Sequence, residues 1–127
     1  MVEAVALPTP WQVKFRAGDN EGRADTLKEG MGGSAGMRPH ELLEASLATC
    51  MTISARMALA DLGVTEGDVS VRVHLERGES ATRFRYELAL DPALEVHRPA
   101  IAERLACSPV RSTLSKPLVF EPVPMGA

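Results

Sequence analysis

The order of its periodic segments predicts an α+β fold, with an antiparallel sheet packed on one long central helix. Two stretches near the middle of the chain carry the sheet. Val69, Val71, Val73 and Leu75 alternate with Ser70, Arg72, His74 and Glu76; after a turn at residues 78–80, Phe84, Tyr86, Leu88 and Leu90 alternate with Arg83, Arg85, Glu87 and Ala89. Alternation at period two gives a hairpin with one buried and one wet face. The helix is read from Leu42, Leu43, Leu47, Cys50, Met51, Met57 and Leu62, a wide apolar face at helical spacing. Strands and helices are segregated along the chain, which argues against a doubly wound sheet.

Composition narrows the possibilities. The 127 residues suit a single domain, 1–127, and 45% of them are hydrophobic. Only 4% are aromatic, so the core is aliphatic. The formal charge is −3 with both signs interspersed, and no basic stripe marks a nucleic-acid partner. No apolar run is expected to cross a bilayer, and the first ten residues lack the basic start of a signal peptide, so the expected location is the cytoplasm. In a reducing compartment two cysteines are expected to be free thiols, reactive or inert, and not a permanent bridge.

Taken in order, residues 11–16 form the first expected strand, with Trp11, Val13 and Phe15 on one face. Gly18, Asp19 and Asn20 turn the chain, and residues 22–27 return as a weaker strand. Residues 30–36, rich in glycine, read as a flexible connector; they lack the Lys-Ser/Thr that a phosphate-binding loop requires. Pro39 suits the first position of the long helix, Arg38 becomes a poor N-cap, and Gly63 is the stop. Small residues between Ala45 and Ala58 mark a helix surrounded by protein. One sheet covers one side of it, and a second copy of the chain is the simplest cover for the other. Pro99 opens a short helix to about Ala106, Ser108-Pro109 caps and opens another to Leu114, and residues 118–121 are expected to be a last strand.

Cys50 is the candidate nucleophile. A mid-helix cysteine is most simply a small buried hydrophobe, and becomes reactive where a cation favours its thiolate. The candidate cations are Arg16, Arg23, Arg38, Arg56 and Arg111; Arg56, six residues on, starts from the far side of the helix. Cys107 is either a resolving thiol or a bystander, because a bridge depends on Cα atoms within about 7 Å and not on sequence separation. Glu41, in the first helical turn, either complements the helix dipole or positions an arginine. His40, His74 and His97 show no metal spacing, so neither a metal nor a cofactor is expected.

The stretch Gly36-Met37-Arg38-Pro39-His40-Glu41-Leu42-Leu43-Glu44-Ala45-Ser46-Leu47-Ala48-Thr49-Cys50 resembles the OsmC/Ohr family, with its Pro-x-Glu-Leu-Leu opening and a run of small residues ending in cysteine. Ser108-Pro109-Val110-Arg111-Ser112-Thr113-Leu114 is similar to that family's Cys-Pro-Val segment, and the hairpin lies between the two. The resemblance implies an intertwined homodimer of OsmC-like fold and a thiol peroxidase acting on organic hydroperoxides. It implies Cys50 as the peroxidatic cysteine and a dithiol or lipoylated protein as reductant; Glu41 matches the more general members, Cys107 is the candidate resolver one residue before the family position, and Arg23 and Arg38 are substitutes by proximity for the family arginine. Three positions depart from the pattern. Ser108 stands where the family has its second cysteine, His40 where the peroxidase members have a glutamate, and Asn20 where they have an arginine. A non-catalytic dimer binding a small hydrophobic ligand, or a structural stress protein with an inert Cys50, are the alternatives.

Overall fold

The computed structural model describes residues 1–124. It contains two compact units, Met1–Ser46 with His74–Arg85, and Leu47–Val73 with Tyr86–Ala127. The long helix and both strands of the central hairpin pass from one unit into the other.

In the first unit, β1 (Glu3–Ala6), β2 (Val13–Ala17) and β3 (Asn20–Ala24) form an antiparallel sheet in the order β1-β2-β3. The sequence carries no alternation that would have revealed β1. The strand expected over residues 11–16 begins only at Val13, because Trp11 sits at φ +74°. That left-handed backbone ends the alternation and closes a turn in which the Leu7 N–H donates to the Gln12 carbonyl. The ring of Phe15 covers Gly22, its cross-strand partner, and leaves no room for a side chain there.

Residues 22–27 do not make one strand. β3 stops at Ala24, and Asp25 turns its buried carboxylate onto the backbone N–H groups of Thr26 (2.8 Å) and Ala35 (3.1 Å). The glycine-rich connector is therefore tethered rather than free, and part of it pairs as β4 (Leu27–Lys28) with β5 (Met31–Gly32). The expected single sheet is in fact three, since the hairpin of β6 (Val69–Arg77) and β7 (Thr82–Leu90) stands as its own pair.

The helix, α1 (Pro39–Asp61), matches the expectation closely. At its start the Glu41 carboxylate accepts the Arg38 backbone N–H at 2.9 Å, the half of a capping box that the poor cap residue needs. At its end Gly63 takes φ +76°, and the Val64 N–H returns to the Leu59 carbonyl. Glu44 is a charged residue within the first turns, and it is satisfied by the Leu75 backbone N–H at 2.7 Å. By length and composition alone α1 passes the test for a membrane-crossing helix, as core helices of soluble proteins also do.

In the second unit, Leu47, Met51, Ala55, Ala58 and Leu59 form a buried stripe along α1. Val71, Leu94, Ile101 and Leu105 complete this core. After β7 comes a 3-10 turn at Pro92–His97, then α2 (Arg98–Ala106) and α3 (Pro109–Leu114). Arg104 of α2 pairs with Asp61 of α1 at 2.9 Å. Residues 118–121 form no strand. Leu118, Val119 and Phe120 lie exposed, Phe120 at 89%, because no neighbouring strand offers a ladder.

Candidate thiol site

The site is built where α1 meets the junction of α2 and α3. Cys50 lies mid-helix beside the buried Met51, and is itself half-buried. Ile101 and Leu105, one turn apart, bury one face of α2 and fix where it ends. Past that end the Cys107 N–H donates to the Arg104 carbonyl and the Ser108 N–H to the Leu105 carbonyl. The backbone then leaves helical geometry, with φ −55° and ψ 133° at Ser108. Consecutive side chains consequently part company: Cys107 is exposed and Ser108 is fully buried.

The buried hydroxyl of Ser108 donates to the sulfur of Cys50 at 3.0 Å. Ser108 does occupy the N-cap of α3, as expected, and its carbonyl accepts the Ser112 N–H. Its hydroxyl makes no capping bond, however, so the sequence reading that explained Ser108 wholly as a cap is corrected. A serine before a proline reads as a cap, and periodicity holds no sign that its side chain turns away. The one signal was its place at the family's second cysteine.

Cys107 borders a cavity of about 390 Å³ with Ala58 and Asp61 of α1, with Leu62 just past its end, and with Glu103 and Arg104 of α2. Ala58 and Asp61 lie two to three turns beyond Cys50, about 12–16 Å along the helix axis at 1.5 Å per residue. Both cysteines are free thiols.

The cation expected beside Cys50 is not what its own unit supplies. That unit contains Arg56, Arg72, Arg98, Arg104 and Arg111. They bond respectively to the Gly67 carbonyl, Glu87, Glu95, Asp61 and the Ala106 carbonyl. The physical reason is that nearby acids and backbone carbonyls already hold these guanidinium groups, Arg56 through one nitrogen while its other terminal nitrogen is buried without a partner, and an uncharged hydroxyl faces the sulfur. Arg23 belongs to the other unit, where it is exposed on β3 opposite Lys14. Glu41 belongs there too, occupied in capping α1. Arg16 is exposed near Glu3, at 3.9 Å. Among the described residues, no group of three or more histidine, cysteine or acidic side chains is placed to hold a metal.

A shallow depression of about 350 Å³, lined by Ala48, Thr49, Thr52 and Ile53, lies along the face of α1 that carries the exposed Ile53; Cys50 is not among its lining residues. Its walls are largely aliphatic, so it suits an apolar group better than a charged one.

A family model described as OsmC-like protein matches residues 31–122. The chain belongs to the OsmC-like protein family. Solved structures agree on the OsmC-like fold. An osmotic stress induced and detoxification response protein from Psychrobacter arcticus aligns with a TM-score of 0.73 at 15% identity, over 88% of this chain and 85% of that one. An OsmC-like protein from Mycoplasma pneumoniae gives 0.67 at 15% identity, over 90% and 85%. The organic hydroperoxide resistance protein OhrB of Bacillus subtilis gives 0.58 at 14% identity, over 91% and 89%. At such identities the likeness is one of fold. No curated protein matches the sequence.

Proposed function

We propose that this OsmC-like protein has a stress-related redox role, and that it is a cysteine-based peroxidase which reduces organic hydroperoxides at Cys50. The observation that carries the proposal is the half-buried sulfur of Cys50 held by the hydroxyl of Ser108, in a fold shared with a named organic hydroperoxide resistance protein. A hydroxyl that donates to sulfur stabilises negative charge there, and the thiolate is the form that attacks a peroxide. A dithiol or a lipoylated protein is the reductant class. The working form is a homodimer, supported by the exposed Ile53 (56%) and Met57 (53%), one turn apart on α1.

The test is hydroperoxide consumption with cumene hydroperoxide and dithiothreitol. The wild-type protein is expected to turn over, and Cys50→Ser to fall to the uncatalysed rate. Equal rates for the two proteins would end the peroxidase reading.

A second reading, a non-catalytic binder of a small hydrophobic ligand, draws on a cavity of about 500 Å³ lined by Leu7, Pro10, Trp11, Val13 and Pro39. Under that reading, ligand binding quenches Trp11 fluorescence while Cys50 stays inert to peroxide.

A further inference from the structure

Ser108 is fully buried at the start of α3, where a serine ordinarily folds its hydroxyl back onto the helix. Here that cap is forgone. The hydroxyl goes to the Cys50 sulfur instead, at 3.0 Å. Its direction is fixed by backbone bonds on both sides, from its N–H to the Leu105 carbonyl and to its carbonyl from the Ser112 N–H. The next thiol in sequence, Cys107, leaves the same junction in another direction. It is exposed and borders a cavity with Ala58 and Asp61, farther along α1. The group placed to meet an oxidised Cys50 is therefore a hydroxyl, which cannot form a disulfide.

We propose that Ser108 is the positioning residue of the Cys50 chemistry, and that oxidised Cys50 is discharged by a thiol from outside the chain, not by Cys107. This rests on the peroxidase reading. The Cys50 thiolate attacks the terminal peroxide oxygen; an S–O bond forms, the O–O bond breaks, and its electron pair leaves with the alkoxide, which takes a proton to become the alcohol. The sulfur has lost two electrons and is a sulfenic acid. Ser108, having donated to the sulfur, remains within reach of the new oxygen. One thiol of an external dithiol then attacks the sulfur, forming a mixed disulfide and expelling the oxygen as water after protonation. The second thiol of that dithiol attacks its own neighbouring sulfur, releasing reduced Cys50 and a closed external disulfide. Two electrons from the dithiol thus match the two accepted by the hydroperoxide.

The test maps products. Reduced full-length protein, freed of reductant, is treated with one equivalent of cumene hydroperoxide in the presence of dimedone, then digested for mass spectrometry with a parallel free-thiol count. Wild type is expected to lose one thiol, carry dimedone on Cys50 and keep Cys107 reduced; Cys107→Ser is expected to give the same Cys50 adduct. Ser108→Cys is expected to lose two thiols through a disulfide between Cys50 and the introduced thiol, with little dimedone, a change of product that a purely structural role would not cause. Ser108→Ala is expected to form the Cys50 adduct about tenfold more slowly, as loss of a hydrogen bond to a charged group predicts.

A Cys50–Cys107 disulfide in the wild type would overturn external discharge and leave the peroxidase reading intact. Ser108→Ala reacting at the wild-type rate would overturn the role of the hydroxyl. No modification of Cys50 at excess peroxide would remove the peroxidase reading, and this proposal with it. If Ser108→Cys does not fold, the wild-type and Cys107→Ser maps still decide the fate of the oxidised sulfur.

Discussion

Single side chains in this protein take their roles from the backbone groups they meet. Asp25 is the clearest case. Hydrogen bonds from the Ala35 and then the Thr26 N–H, with the Gly33 N–H assisting, hold its carboxyl below the usual aspartate range, although burial pushes the other way. The folded state therefore binds this proton less readily than the unfolded state. The stabilisation is complete above the ordinary value of about 3.9 and is lost as pH falls through the lower folded value. Protection of the Thr26 and Ala35 amides, as exchange relative to the intrinsic rate at each pH, is expected to fall below about pH 4, and Asp25→Asn is expected to flatten that dependence. Unchanged protection factors in acid would mean that the carboxylate does not tether the loop. Sequence reasoning found Cys50 because small residues and a family motif surround it. It passed over Asp25 and misjudged Ser108, because both act through side-chain-to-backbone or side-chain-to-sulfur geometry that leaves no periodic trace.

At the scale of elements, what was legible followed from periodicity and from punctuation. The long helix came within a residue of its observed end, since Pro39 and Gly63 bracket a continuous apolar face. The hairpin was equally plain in its alternation. The N-terminal strand Glu3–Ala6 was hidden because all four of its residues are exposed, so no alternation marks it. The C-terminal strand was expected from a run of apolar residues that find no ladder. The capping of α1 offers a test at this scale. Glu41→Ala is expected to destabilise the fold by roughly 0.5–1.5 kcal/mol in urea unfolding, and Glu41→Gln, which keeps the acceptor, by less. If the two variants lose the same amount, the carboxylate acts through charge and not through the Arg38 N–H.

For the whole molecule, the sequence leaves open what covers the second side of α1. Ile53 and Met57 leave that side apolar and open, and the proposed second copy would close it. Ile53→Glu combined with Met57→Glu is expected to shift the protein from dimer to monomer in sedimentation velocity, since two buried carboxylates without partners cost several kcal/mol. A dimer that survives this change must be joined elsewhere. Periodicity said that a face needed cover and made a second copy its simplest cover, and the family resemblance implied the same partner.

The left-handed turn at Trp11 carries an experimental consequence. The chain has one tryptophan and one tyrosine, and they fall in different units, Trp11 in the first and Tyr86 in the second. Red-edge excitation selects the indole alone, so its emission during unfolding tracks the β1–β2 turn, while far-ultraviolet dichroism tracks mainly α1. Overlaid melting curves would mark one cooperative transition, and separated ones would show the N-terminal sheet loosening on its own.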